Sequence, residues 1–284
     1  MRIPSARRLS SILAILAFGL LATGCGLDNA PMLHPKGPVA QAEADLLFTA
    51  FYLMLIVVIP VFIFAGLFVW RYRANGGKGK YTPDWGYSAK IDAVIWLVPA
   101  LIVAALGYLL WTTTHKLDPY RAIGNPDEAI VVHAVAQDWK WLFLYPELGI
   151  ASVNELAFPA SRPLSLRITS DTVMNSIMVP ALAGQIYAMA GMETRLNLEA
   201  DAPGEFTGRN TMFSGTGFSG QHFEARAMSD EDFSEWVAAT KGSNQELTQD
   251  TYVEIAKPSQ NVPVIRFSDV VPGLFDSILA KYRN

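Results

Sequence analysis

The chain of 284 residues contains a single cysteine, Cys25. One thiol excludes an internal disulfide, and it excludes any centre built on two thiolates. Charge is also scarce, at 17% of residues, and the formal net charge is −4. Nothing here makes a basic footprint, so no nucleic-acid partner is expected. The tract Gly76-Gly77-Lys78-Gly79 lacks the spacing of a P-loop and the Ser or Thr that follows one. Internal repeats are absent. What fills the chain instead is apolar: 51% of residues are hydrophobic. That balance fits a membrane protein carrying a soluble part.

Taken in order, residues 1–24 read as an export signal. Arg2, Arg7 and Arg8 precede the apolar stretch Ser11–Leu21, and the small residues Ala22-Thr23-Gly24 precede Cys25. Two readings stand here: a lipoprotein signal with lipid on Cys25, or a plain signal or uncleaved anchor. Residues 25–45 form an extracytoplasmic linker, extended over Ala30–Ala40, where Pro31, Pro35 and Pro38 fall. Leu46–Trp70 is an apolar run, 25 residues long, without a charged side chain. At 1.5 Å per residue that is about 37 Å, enough to cross a ~30 Å hydrocarbon core. A second uncharged run, Ala93–Trp111, lies in a transmembrane segment assigned to residues 91–113. Between them, residues 71–90 carry Arg71, Arg73, Lys78, Lys80 and Lys90 against Asp84 alone. The positive-inside rule makes this loop cytoplasmic and places everything after the second span outside.

Residues 115–284 hold 13 Lys and Arg against 21 Asp and Glu, an acidic domain of ordinary size. Ala129–Ala136 is β-branched rich. Trp139, Trp141 and Phe143 alternate with Lys140 and Leu142, which as one strand puts both Trp side chains on one face. Leu164–Ile168 and Thr194–Leu198 alternate as well, with turn signals between. Such short strands predict an antiparallel sandwich or Greek-key barrel over 115–228. Residues 229–284 read as a helical extension. Ser229-Asp-Glu-Asp232 opens a helix in capping-box style, and further helices are predicted near Leu247–Ala256 and Pro272–Tyr282.

Two segments carry a resemblance: Asp171-Thr-Val-Met-Asn175-Ser-Ile-Met-Val-Pro180, and Met212-Phe213-Ser-Gly-Thr-Gly217-Phe-Ser-Gly-Gln221-His-Phe-Glu224. They resemble the copper-binding region of subunit II of the haem–copper respiratory oxidases. That motif is a His before a Ser and a nearby Pro, then Cys-x3-Cys-x3-His-x2-Met. The spacing is kept and the ligands are not. Asn175 matches the first His, Phe213 and Gly217 the two Cys, Gln221 the second His, and Glu224 the Met. Gly215 matches the residue whose carbonyl also binds. Soft copper needs thiolate, imidazole and thioether, so no metal site is expected. His222 is offset by one from Gln221 and on a strand faces the other way. The ligand-less motif, Gly184-Gln-Ile-Tyr-Ala-Met-Ala-Gly-Met192, Ser214–Gly220 and the aromatic segment Ile265–Tyr282 are similar to the quinol oxidase branch, cytochrome bo type.

The resemblance implies a cupredoxin-like barrel behind a two-helix membrane hairpin. It also implies a complex of the bacterial inner membrane that oxidises ubiquinol, reduces O2 to water and pumps protons. Haems and copper would belong to subunit I, with subunits III and IV as further partners. This chain would be a subunit with no catalytic centre and no cofactor, its domain periplasmic and its N-terminus in lipid. Trp139 and Trp141 resemble the aromatic patch that receives electrons in the cytochrome c oxidases; without copper behind them the competing reading is packing. Asp92 aligns with an acid at the mouth of a proton channel, and equally reads as an interfacial acid at a helix N-terminus. Two other functions remain beside the oxidase reading: a copper-bearing cytochrome c oxidase subunit, and a stand-alone lipoprotein that binds a small ligand.

Overall fold

The computed structural model describes residues 30–73, 79 and 82–283. Cys25, segment 1–24, and Lys78 and Lys80 of the basic loop lie outside the described residues. Helix α1 spans Pro38–Arg71 and helix α2 Ala89–Lys116, 34 and 28 residues. At 1.5 Å per residue they are about 51 and 42 Å long, more than a ~30 Å hydrocarbon core requires. Large apolar side chains point outward all round them, Phe62 75% and Trp96 74% exposed. A surface of that kind is stable in lipid or against another apolar span, so the hairpin anchors the chain in a membrane. Pro60 and Pro99 sit inside the two helices without ending them, as membrane helices allow.

The expected extended linker is not there. Pro31–Leu33 forms a 3₁₀ turn, and α1 begins at Pro38, eight residues before the apolar run. The prolines stand at or near element starts, where a missing N–H costs nothing. These first turns are docked on the soluble domain. Lys36 N donates to Ala181 O at 2.8 Å, Ala40 N to Leu182 O at 3.1 Å, and Asp201 N to Lys36 O at 2.9 Å. Ala40 and Ala44, one helical turn apart, are buried there.

Ten strands follow: β1 Ile130–Gln137, β2 Lys140–Tyr145, β3 Ile150–Val153, β4 Glu155–Pro159, β5 Leu164–Ser170, β6 Asn175–Val179, β7 Ala183–Ala188, β8 Thr194–Leu198, β9 Gly204–Asn210 and β10 His222–Met228. After them come helix α3 Asp230–Lys241, β11 Glu246–Leu247, helix α4 Gln249–Ile255, β12 Ile265–Phe267, β13 Asp269–Val270 and helix α5 Leu274–Ala280. One sheet has the order β12-β3-β2-β1-β5-β8 and the other β4-β10-β9-β6-β7. The hairpins are antiparallel, while β1 with β5 and β4 with β10 pair in parallel. The result is a cupredoxin-like sandwich. Trp141, Phe143, Phe158, Leu166, Ile168 and Phe223 fill the space between its sheets.

The six-stranded sheet is buried on its other face too. Val135, Leu142 and Leu144 meet Tyr252, Phe275 and Ile278 of the C-terminal segment in a second core. Hence all six residues of β2 are buried, where a one-sided sheet would alternate. The C-terminal segment is therefore more than a helical extension, since β12 adds a strand to the sheet, Ile265 opposite Val153. Helix α3 starts where the capping pattern puts it, with Ser229 Oγ accepting from Asp232 N at 3.1 Å.

The reading of Trp139 and Trp141 as neighbours on one strand face is corrected. Gln137 pairs with Lys140, so Asp138 and Trp139 are the hairpin turn, and Trp139 has φ +66°. Trp141 lies inside the sandwich, edge-on to Phe223 at 5.9 Å.

Candidate functional site

The copper-motif positions lie where β6, the end of β9 and the 211–221 loop meet. Asn175 opens β6 fully buried, and Gln221 is 1% exposed at the end of the loop. Asn210 stands between them. Its Oδ1 accepts from Ser176 N at 2.9 Å and Met212 N at 3.0 Å. Those two donors fix the amide's orientation, so its Nδ2 faces the other way. It donates to Asn175 Oδ1 at 2.6 Å and to Gln221 Oε1 at 2.9 Å. Ser214 Oγ donates to Gln221 Oε1 at 3.0 Å, Gln221 Nε2 to Gln137 O at 3.3 Å, and Asn175 Nδ2 to Val173 O at 2.8 Å. The site is thus a buried network of neutral amides and one hydroxyl. It satisfies its own polar groups and joins the 171–175 and 211–221 loops.

The remaining positions do not converge on it. Phe213 is 75% exposed, its ring 5.7 Å from that of Phe218. Glu224 is exposed on the outer face of β10, as is His222. Gly215 has φ +107°, a conformation reserved for residues without a side chain. Trp139 lies over this loop, and its Nε1 donates to Ser214 O at 3.1 Å. A Cβ on Gly217 would overlap Cγ and Cδ2 of that indole. The volume a side chain at 217 would need is therefore taken. Carboxamide and hydroxyl groups are poor partners for soft copper. Among the described residues no group of three or more His, Cys, Asp or Glu is placed to hold a metal.

Two further buried carboxylates tie distant segments together, the first of them at the site, and sequence reasoning gave them no role. Asp171 begins the loop that leads into Asn175, and its side chain is only 2% exposed. Tyr252 OH donates to Asp171 Oδ2 at 2.5 Å, Lys281 Nζ to Oδ1 at 2.7 Å, and Tyr282 OH to the Asp171 carbonyl at 3.0 Å. Burial, then the bond to Asp171, push the Tyr252 phenol well above its ordinary range. Glu155, 1% exposed, receives Arg266 Nε at 2.6 Å and Nη2 at 2.8 Å, Arg226 Nη1 at 3.1 Å and Trp236 Nε1 at 3.1 Å. Burial raises its pKa, yet hydrogen bonds from Arg266 and Trp236 outweigh that and hold it below the usual carboxylate range.

Asn210 could have been found from sequence. Gly208 and Asn210 are the buried phase of β9, so a carboxamide stood at an inward position with an inward partner required. Asp92 sits in the first turn of α2, half-buried, its N donating to Ser88 O at 2.9 Å. It lies 24 residues, about 36 Å of helix rise, before Lys116 at the end of α2, at the opposite end of that helix from the sandwich.

The family model described as the COX Aromatic Rich Motif matches residues 241–284, the segment that forms the second core and reaches Asp171. The chain is 49% identical over 95% of its length to cytochrome bo(3) ubiquinol oxidase subunit 2 of Pseudomonas aeruginosa, covering 80% of that protein. It is 45% identical over 95% of its length to ubiquinol oxidase subunit 2 of Acetobacter aceti, covering 87% of it. Among solved structures, the periplasmic domain of subunit II of cytochrome oxidase from Bradyrhizobium japonicum matches with 22% identity and a TM-score of 0.37, over 39% of this chain and 91% of that one. With such relatives matched across nearly its whole length, the chain belongs to the ubiquinol oxidase subunit 2 family.

Proposed function

We propose that the chain is the membrane-anchored second subunit of a proton-pumping ubiquinol oxidase, an oxidoreductase complex that reduces O2 to water. The observation that carries this is the amide network with Trp139 packed on Gly217, in a chain whose relatives are named for ubiquinol oxidation. Electrons that bypass a copper pair need no soft ligands here. Haems, copper and the quinol site then belong to the partner subunit I, with subunits III and IV beside it. The role of this chain is to present a rigid outer domain to that partner. The cytochrome c reading is disfavoured by the same network, which leaves Trp139 without an acceptor behind it. A stand-alone lipoprotein would not account for the relatives' names.

Three finer points belong to the proposal. Segment 1–24 is removed before Cys25, which takes lipid. The loop 71–90 faces the cytoplasm, its bases obeying the positive-inside rule, and the sandwich is periplasmic. Asp92, in the first turn of α2, takes up protons at the cytoplasmic end of that helix. Affinity purification through a tag on this chain tests the main reading. A haem-bearing multi-span partner with ubiquinol oxidase activity, and none towards reduced cytochrome c, is expected. Recovery of the chain alone from intact membranes overturns it. For topology, a reporter active only outside the cytoplasm is expected to work after Tyr120 and to be silent at Gly77.

A further inference from the structure

A cavity of about 250 Å³ lies where the hairpin meets the sandwich, and none of the amide-network residues lines it. Its walls are the first turns of α1, the chain leaving α2, and the edges of β7 and β8. Four charged residues line it: Glu43, Lys116, Asp118 and Arg121. Among the described residues none of these four is joined to another by an ion pair. A cavity holding two acids and two bases without pairing them is complementary to a ligand carrying both signs.

Its depth says where that ligand comes from. Glu43 is three residues outside Leu46, where the apolar run of α1 begins, and Lys116 is five residues beyond Trp111, where that of α2 ends. At 1.5 Å per residue both stand about 5–8 Å outside the hydrocarbon edge, the level of phospholipid headgroups. Below the cavity, Leu47, Phe51, Leu110 and Trp111 are 44–68% exposed, an apolar flank on which acyl chains can lie. The walls are held in place. Asn197 Nδ2 donates to Pro119 O at 3.1 Å and to Arg121 O at 3.2 Å, and Asp118 Oδ1 accepts from Tyr120 N at 2.9 Å. Glu43 leans on the backbone of β7 so closely that a Cβ on Gly184 would collide with its Oε1.

We propose that this cavity seats the headgroup of a zwitterionic phospholipid with a primary ammonium, a phosphoethanolamine. The ammonium is received by Glu43 and the phosphate by Lys116 and Arg121, while the acyl chains descend along α1 and α2. A primary ammonium donates three hydrogen bonds to carboxylate and carbonyl groups. A quaternary ammonium donates none and is recognised by aromatic cages, of which the lining residues form no example. An anionic glycerol headgroup could seat its phosphate on the same two bases but brings no cation for Glu43, only neutral hydroxyls. The inference needs the hairpin in a membrane but does not depend on the oxidase reading.

The test uses the full-length chain, stripped in detergent and returned to nanodiscs containing equal parts of phosphatidylethanolamine, phosphatidylcholine and phosphatidylglycerol. Lipid retained after extraction is read by native mass spectrometry, and circular dichroism reports the fold. Wild type is expected to keep stoichiometric phosphatidylethanolamine. The double variant Lys116→Gln with Arg121→Gln is expected to keep roughly fivefold less or lower still, as partly screened charge contacts predict. Gly184→Ala displaces only the end of a flexible Glu43 side chain, so it folds. It is expected to lose the preference for ethanolamine over glycerol headgroups while still binding lipid. Equal retention of the three lipids by wild type overturns the proposal. So does full displacement by inorganic phosphate, or a Gly184→Ala variant with unaltered preference.

Discussion

Gly217→Ala is the smallest change that challenges the account of the vestigial metal region. Gly217 has φ −91° and ψ 3°, which alanine adopts without strain. In isolation such a Gly→Ala change stabilises by about 0.5 kcal/mol, because the unfolded chain loses freedom. Here the new methyl falls inside the Trp139 indole. The ring must move by roughly 1 Å, and overpacking of this kind costs about 1–3 kcal/mol. Part of that is the bond from Trp139 Nε1 to Ser214 O, worth about 1 kcal/mol. The net expectation is a loss of about 1.5 kcal/mol. With Trp139→Ala in the background the obstacle is gone, and the same Gly217→Ala change becomes neutral or stabilising. The sign reversal is a coupling of about 2 kcal/mol in a double-mutant cycle. Denaturant unfolding of the full-length chain in detergent, followed by far-ultraviolet circular dichroism, measures all four corners. An alanine at 217 that costs the same with and without the indole refutes the claim that Trp139 fills the site.

Other outcomes follow from the same geometry. Asn210→Ala leaves Ser176 N, Met212 N and two buried carboxamides short of partners, and a loss of about 3 kcal/mol is expected in the same unfolding assay. Glu155 has a folded pKa below its unfolded one, so its contribution is present above the unfolded carboxylate pKa and fades as pH falls through the folded value. Glu155→Gln is therefore expected to flatten the acid limb of the stability profile, read as the denaturation midpoint against pH. Arg266→Ala is expected to cost roughly 3 kcal/mol at neutral pH, the low end for a broken buried pair, because Arg266 keeps some contact with water. Asp92→Asn is expected to slow ubiquinol-dependent O2 consumption while haem content and assembly stay at wild-type levels; unchanged turnover assigns Asp92 to the membrane interface alone.

The parts of the fold written in local patterns were readable. Two uncharged apolar runs gave the hairpin, Ser229 and Asp232 gave the start of α3, and the alternation of Leu164–Ile168 gave β5. What stayed hidden depends on distant partners. Trp139-Lys140-Trp141 has the rhythm of a strand, and only the pairing of Gln137 with Lys140 makes Trp139 a turn residue. A bulky residue at positive φ is unfavourable on its own; here the indole's seat on Gly215 and Gly217 holds it. The continuous burial of β2 depends on a C-terminal segment more than 100 residues away. The substituted ligand positions were each identifiable, but spacing alone treats five positions alike. The structure brings Asn175 and Gln221 together and turns Phe213 and Glu224 outward.

The docking of α1 on the sandwich has a bearing on assembly. The helix passes from Pro38 to Arg71 in one rod, and its first turn is hydrogen-bonded to the sandwich, with Gly37 packed too close to the Glu199 carbonyl for a side chain. A domain on a loose tether would swing through many orientations before meeting a partner within the bilayer. A domain carried on this rod is confined to sideways diffusion and spin about the membrane normal. Much of the rotational entropy that association ordinarily costs, part of an estimated 4–15 kcal/mol, is then surrendered once, when the chain folds into the membrane. Encounter becomes a search in a plane, with the binding face already at its working height.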